Sequence, residues 1–178
     1  MAEFSSIDRR AARIKLILMD CDGVLTDGRV WLTGSGEEQK AFNVRDGLGI
    51  ELLHRAGIKT GIISGRSSEA VEKRVLELKI HFVEQGVVEK VSVFNRILSA
   101  AGVDDGAVAF VGDDLNDIPL MQRSEFAIAV NDAADETKAA AHYVTKAKGG
   151  YGAIREVAEI ILKAQGRWSD LIKLFDIR

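Results

Sequence analysis

Five short apolar runs punctuate the chain, at Ile14 to Met19, Lys59 to Ile63, His81 to Val83, Val108 to Val111 and Phe126 to Val130, and stretches of helical periodicity separate them. A strand that reads as unbroken apolar sequence is buried on both faces, and strands that alternate with helices are most simply joined as parallel neighbours. The expected fold is therefore α/β, a Rossmann-like three-layer arrangement with a parallel central sheet between helices. At 178 residues with 47% hydrophobic content the chain can bury a sizeable core, and no repeat, low-complexity tract or linker divides it. One domain over 1–178 is expected.

The first helix is expected from about Asp46 through Leu48, Ile50, Leu52 and Leu53 to Gly57, and Ser67 and Ser68 offer caps for a second carrying Val71, Val75, Leu76 and Leu78. Val91, Phe94, Ile97 and Leu98 give a third stripe, ending near Gly102. A short fourth helix should follow Asn116, with Pro119 in its first turn. Ala153 to Ala164 reads as the last long helix. The tail, about 166–178, carries Trp168, Leu171, Ile172 and Phe175 at a spacing suited to docking on its own subunit or on a partner. One segment breaks the alternation: over about 29–42 two strand-like stretches flank Thr33-Gly34-Ser35-Gly36, which predicts a β-hairpin where an active-site loop of an open α/β sheet projects.

With 24 basic against 27 acidic residues and a net charge of −3, no nucleic-acid footprint covers the surface, though local basic sites for a small anion remain open. The single cysteine, Cys21, excludes an internal disulfide. The segment up to Lys15 is charged, and the apolar stretch after it is too short for a signal peptide or a membrane span, so a cytoplasmic protein without membrane insertion is expected.

Three of the runs end in polar residues: Asp20-Cys21-Asp22-Gly23, Ser64-Gly65-Arg66, and Gly112-Asp113-Asp114-Leu115-Asn116-Asp117. Parallel strands bring their carboxyl ends to one edge, so these groups should meet in one crevice. Asp20 and Asp22 fall on the same side of an extended chain, and two carboxylates so close repel unless a proton or a cation lies between them. Asp20, Asp113 and the backbone carbonyl of Asp22 offer hard oxygens for Mg²⁺, with Asp114 and Asp117 expected to orient them. A carboxylate beside such an ion can attack phosphorus, which makes Asp20 the candidate nucleophile and Asp22 the candidate acid and base. Ser64 and Lys90 would bind the phosphoryl oxygens. No Gly-x-x-x-x-Gly-Lys loop occurs, so a nucleotide-loop kinase is not expected. Each residue alone has a plainer reading: Ser64 as a turn residue, Lys90 as a solvated lysine, Arg66 and Arg74 as surface ion pairs, Arg45 and Asp46 as a mutual pair or a helix cap. Trp31 could be core, hairpin staple or interface, and Gly149-Gly150-Tyr151-Gly152 a turn or an anion loop. His54, His81 and His142 lack zinc-like spacing and suit packing or surface roles. Cys21 suits packing.

Taken in order, Asp20-Cys21-Asp22-Gly23-Val24-Leu25-Thr26, Ser64, Lys90 and Gly112 to Asp117 resemble the four motifs of the haloacid dehalogenase superfamily over essentially the whole chain. The resemblance implies a Rossmann-like fold, Mg²⁺ and a double displacement through an aspartyl-phosphate. Lys40 to Gly47 and Gly149 to Glu156 are similar, more closely, to the 3-deoxy-D-manno-octulosonate 8-phosphate phosphatases of lipopolysaccharide biosynthesis. That likeness implies a hairpin in place of a large cap domain, a homotetramer whose neighbouring subunit completes the site, and substrate contacts from Asn43, Val44, Arg45, Asp46, Gly47, Arg66 and Arg74. The implied substrate carries a phosphate for Mg²⁺ and Lys90 and a carboxylate for an arginine fork. Glu51 departs from the pattern, because many members have arginine there, and it keeps a nonulosonate 9-phosphate or other sugar phosphate open. A phosphate-binding or scaffold protein that holds metal without turnover is the reading from another class.

Overall fold

A computed structural model describes residues 5–175, in which six parallel strands form one sheet. These are β1 (Leu16–Met19), β4 (Lys59–Ile63), β5 (Phe82–Glu84), β6 (Val108–Gly112), β7 (Phe126–Ala129) and β8 (Tyr143–Val144), in the order β5-β4-β1-β6-β7-β8. The antiparallel pair β2 (Trp31–Leu32) and β3 (Glu38–Gln39) stands apart from it. Every residue of β1, β6 and β7 is buried, which is why these segments are uninterrupted apolar sequence.

The helices are α1 (Ser6–Ala11), α2 (Val44–Arg55), α3 (Glu69–Leu78), α4 (Lys90–Ala101), α5 (Ile118–Arg123), α6 (Asp135–Ala140), α7 (Ala153–Ala164) and α8 (Trp168–Lys173). Right-handed crossovers put α2 and α3 on one face of the sheet and α4, α5 and α6 on the other. The contacts agree: α7 packs on α1, α2 and α8, while α5 packs on α4 and α6. Chain direction across the sheet reverses between β1 and β6. In open α/β sheets the carboxyl side of that reversal is where ligands bind.

Local chemistry moves several boundaries. The first long helix starts at Val44, two residues before the expected Asp46, because Asn43 Oδ1 accepts the Arg45 amide at 2.8 Å and caps it. The second starts after Ser68 as expected, but Ser68 makes no side-chain cap bond. The hairpin is far shorter than 29–42: only two residues pair on each strand, and Thr33 turns the chain through its bonds with Glu37 and Gly36. Trp31 and Leu32 are exposed, so Trp31 is not core. The tail docks on its own subunit, with Arg155 and Lys163 of α7 lying 5.3 and 5.1 Å from the Trp168 ring and Leu171 buried. Phe175 is exposed, and residues 176–178 of the expected tail lie outside the described residues. Cys21 packs in the core, where burial and the neighbouring Asp22 and Asp20 push its thiol up to about 12.

At the amino-terminal end of β4, His54 Nε2 lies 2.7 Å from the Thr60 hydroxyl and its ring meets His81 edge-on at 4.6 Å. Burial, together with His81, holds His54 at about 4 against an ordinary 6.5. Because the folded state favours the neutral ring, its contribution to stability is complete above about 6.5 and is lost as pH falls from there to about 4. Chemical denaturation between pH 7.5 and 4.5 should show a shallower pH slope for His54→Gln than for the parent; equal slopes would contradict this.

Candidate active site

Asp20 follows the last residue of β1, and Asp113 follows the last residue of β6, so the reversal point of the sheet sets them side by side. Gly23, with φ of +89°, turns the chain away from the strand, and a side chain there would collide with the Asp113 carboxylate. Asp117 is fully buried: its Oδ2 accepts the Asp113 amide at 3.0 Å and its Oδ1 accepts Lys90 Nζ at 2.7 Å. Lys90, at the first turn of α4, also donates to Asp20 Oδ1 at 3.0 Å. One ammonium thus serves two carboxylates, one directly after β1 and one in the turn between β6 and α5.

Asp20, Asp113 and Asp117 each offer an oxygen within 4.8 Å of the others. Burial, then the charges of Asp117, Asp20 and Asp114, push Asp113 up to about 8. Burial and Asp117 raise Asp20 to about 6, with Lys90 offsetting only part. Lys90 is held above its ordinary value, since Asp117 and Asp20 outweigh its burial. Three carboxylates against one cation leave uncompensated negative charge in a buried site, and a divalent ion with hard oxygen ligands fits that deficit. Both Asp117 oxygens are already engaged, so Asp117 orients Asp113 and Lys90 and leaves Asp20 and Asp113 as the carboxylates open to an ion.

The Asp22 carboxylate is not in this trio. Its Oδ1 accepts Lys40 Nζ and its Oδ2 lies 3.5 Å from Arg66 Nε, so a share in ion binding would fall to its backbone carbonyl. Ser64 is buried directly after β4, and its Oγ accepts the Arg66 amide at 3.3 Å. Asp114 is exposed; its side chain accepts its neighbour's amide, Leu115 N, at 2.8 Å, and its carbonyl accepts Asp117 N at 3.0 Å.

Of the residues that resemblance assigned to the substrate, Arg66 alone is tied directly to Asp22 in the single chain. Asp46 faces elsewhere: it is buried, and its two oxygens accept the amides of Gly152 and Arg155 at 3.2 and 2.8 Å, capping the start of α7. Asn43 donates to Gly150 O at 3.2 Å while capping α2. Arg74 pairs with Glu77 one turn along α3 and reaches out of that helix to Asn43 O, and a side chain at Gly47 would meet its guanidinium at 2.6 Å. Val44 and Arg45 are exposed. Glu51 lies on the open face of α2 and pairs with Arg55 at 2.7 Å. These bonds hold Gly149-Gly150 against the Asp22 turn: Gly150 N donates to Val24 O at 2.9 Å, and a side chain at Gly149 would strike the Gly23 carbonyl.

Sequence reasoning gave no role to Glu38 or Lys40. The available signal was their spacing, since residues two apart on a strand share a face. A groove of about 890 Å³ lined by Arg9, Arg10, Arg13 and Glu125 lies at the opposite edge of the sheet, among residues that precede β1 and β7, so size alone does not locate the chemistry.

Residues 80–156 match the family described as haloacid dehalogenase-like hydrolase. The chain is 43% identical over 159 residues to the 3-deoxy-D-manno-octulosonate 8-phosphate phosphatase KdsC of Yersinia pestis, spanning 89% of this chain and 85% of that protein. The KdsC of Escherichia coli K12 is 42% identical over 158 residues, spanning 89% and 84%. Among solved structures, the phosphatase from Yersinia pestis superposes with a TM-score of 0.91 at 41% identity, over 93% of this chain and 89% of that one. The phosphatase from Moraxella catarrhalis, crystallised with magnesium, phosphate and KDO, superposes with a TM-score of 0.94 at 39% identity, over 98% and 100%. Identity of this order, sustained over most of both chains and over a site of the expected composition, shows that the chain belongs to the haloacid dehalogenase-like hydrolases, in the branch of the 3-deoxy-D-manno-octulosonate 8-phosphate phosphatases.

Proposed function

We propose that the chain is a one-domain, Mg²⁺-dependent phosphatase that hydrolyses 3-deoxy-D-manno-octulosonate 8-phosphate to the free sugar acid and phosphate in lipopolysaccharide biosynthesis. The observation that carries this reading is the end-to-end likeness to the Moraxella catarrhalis protein crystallised with magnesium, phosphate and KDO. The junction of Asp20, Asp113, Asp117 and Lys90 supports the reaction class independently of that likeness.

Asp20 is the nucleophile. Lys90 holds one of its oxygens and thereby fixes the rotation of the carboxylate toward the crevice. As an Asp20 oxygen bonds to phosphorus, the bond from phosphorus to the sugar oxygen breaks and its electron pair stays on that oxygen. Asp22 gives that oxygen a proton, then takes one from the water that opens the aspartyl-phosphate. Mg²⁺ held by Asp20, Asp113 and the Asp22 carbonyl supplies charge that offsets repulsion between carboxylate and phosphate. Ser64 and Lys90 bind phosphoryl oxygens, with Asp114 and Asp117 behind the ligands. Arg66 stands beside Asp22, with its side chain 54% exposed, and suits a substrate carboxylate. Asn43, Asp46, Gly47 and Arg74 act on the substrate indirectly, by fixing the first turn of α2, which carries exposed Val44 and Arg45.

A panel of sugar phosphates with Mg²⁺ and a chelator control tests the reading. The eight-carbon acid phosphate should have the highest kcat/KM, the chelator should abolish turnover, and Asp20→Asn should lower kcat by at least about three orders of magnitude. Preference for a nine-carbon acid phosphate would overturn the substrate, and undiminished turnover by Asp20→Asn would overturn the nucleophile.

We further infer a cytoplasmic homotetramer in which the hairpin joins subunits and the neighbour completes the site. The exposed Trp31 and Leu32, 60% and 70% accessible, support an interface there, and among the described residues no helix is long and apolar enough to cross a membrane. The native mass should be that of four chains; the mass of one would contradict the shared site.

A further inference from the structure

Lys40 is the least expected side chain in the molecule. It stands next to a two-residue strand in a hairpin that has no core of its own, yet its side chain is 0% exposed. Burying an ammonium is costly unless it is closely paired. Its partners are the Asp22 carboxylate, through Oδ1, and Glu38 Oε1 at 3.1 Å. Glu38 in turn takes the Arg66 guanidinium at 2.7 Å through Oε2, and Arg66 Nε lies 3.5 Å from the other oxygen of Asp22. Two acids and two bases form a closed ring, electrically balanced when Asp22 is ionised, that ties the hairpin to the Asp22 turn within one chain. The side chains of Glu38 and Asp22 are only 17% and 18% exposed, so solvent dilutes the two Lys40 pairs little, while Arg66 forms the open side of the ring.

We propose that Lys40 is a positioning residue for proton transfer: with Glu38 behind it, it grips one oxygen of Asp22 and aims the other at the bridging oxygen of the phosphate ester. The proposal rests on Asp22 being the acid and base. In the first step the O–H bond of the Asp22 carboxyl breaks as an O–H bond forms on the departing sugar oxygen, which also keeps the electron pair of the broken P–O bond. Lys40 touches neither atom. It acts by fixing the carboxylate, and a displacement of about 1 Å in such a group can cost about 10²-fold in rate. Arg66 holds Asp22 more loosely and is itself largely exposed, which leaves it able to move toward an anionic substrate.

The test uses kcat/KM, which reports only steps up to the first P–O cleavage, on two esters that differ in their need for a proton. A sugar-acid phosphate expels an alkoxide and needs one; p-nitrophenyl phosphate expels a stable phenolate and needs none. Lys40→Met should lower kcat/KM on the sugar-acid phosphate by on the order of 10- to 100-fold and on the aryl ester by less than about 3-fold, with Lys40→Arg restoring part of the loss. Glu38→Gln, which leaves Lys40 in place but loosens it, should show the same selectivity to a smaller degree and stands in should Lys40→Met fail to fold. Equal losses on both esters, or none, in a folded variant would overturn the role of Lys40. Asp22→Asn separates the two layers of the argument: an unchanged kcat/KM on the sugar-acid phosphate overturns the role of Asp22 itself, whereas a selective loss there, not shared by Lys40→Met or Glu38→Gln, overturns the positioning proposal alone. In the Asp22→Asn background Lys40→Met should add no further selective loss.

Discussion

Uncompensated negative charge at the carboxyl edge of the central sheet is the constraint on which the site depends. β1 and β6 are neighbours at the point where strand order reverses, and each is followed directly by an aspartate. Burial of Asp20 and Asp113 raises both, and the buried ammonium of Lys90, which reaches Asp20, is shared with Asp117. A fold does not gather such groups without a return, because each ionised carboxyl destabilises its neighbours. Phosphoryl transfer supplies that return: the cation that relieves the repulsion also screens an anionic substrate from an anionic nucleophile.

The turn from Asp20 to Thr26 is fixed from three directions, and each hold has a separate physical origin. Sterics supply the first, since Gly23 and Gly149 approach their neighbours too closely for any side chain. Backbone hydrogen bonding supplies the second, through Gly150 N on Val24 O, with Asp46 and Asn43 anchoring the glycine segment to α2. Charge supplies the third, through Lys40 and Glu38. The two carboxylates of Asp20-Cys21-Asp22 therefore face different partners: Lys90 for the first and Lys40 for the second. Separate partners are what separate duties require, since a nucleophile and a proton carrier at one shared cation would titrate and move together.

The parallel sheet was legible because its central strands are buried on both faces and so carry no polar interruption. What escaped notice had a weaker signature. β8 is two residues long, α6 buries only Thr137, and α1 rests on a Ser5 and Asp8 capping box inside a segment that reads as merely charged. Strand-like composition continues past the residues that pair, which makes the hairpin look longer in sequence than it is. At the site, residues at strand ends were legible from register alone: Asp20, Ser64 and Asp113 follow three strands that share one edge. Asp46 and Arg74 were not, because a resemblance transfers positions and not directions, and both side chains turn away to bind the α2, α3 and α7 segments. Lys40 escaped because lysine in a hairpin is ordinarily solvated, and only tertiary structure reveals that its ammonium is enclosed.

Titration of the chelated protein with Mg²⁺ by calorimetry, in buffers of differing ionisation enthalpy, tests the central claim most directly. With Asp113 at about 8 and Asp20 at about 6 before the ion binds, both must be deprotonated to coordinate it. Binding near pH 7 should therefore release close to one proton, the release should vanish above about pH 9, and affinity should fall as pH drops below about 8 and more steeply below about 6. Asp113→Asn should abolish most of the release. Mg²⁺ binding with no proton release and a flat pH dependence would contradict the account, because the ion would then be bound by groups other than Asp20 and Asp113.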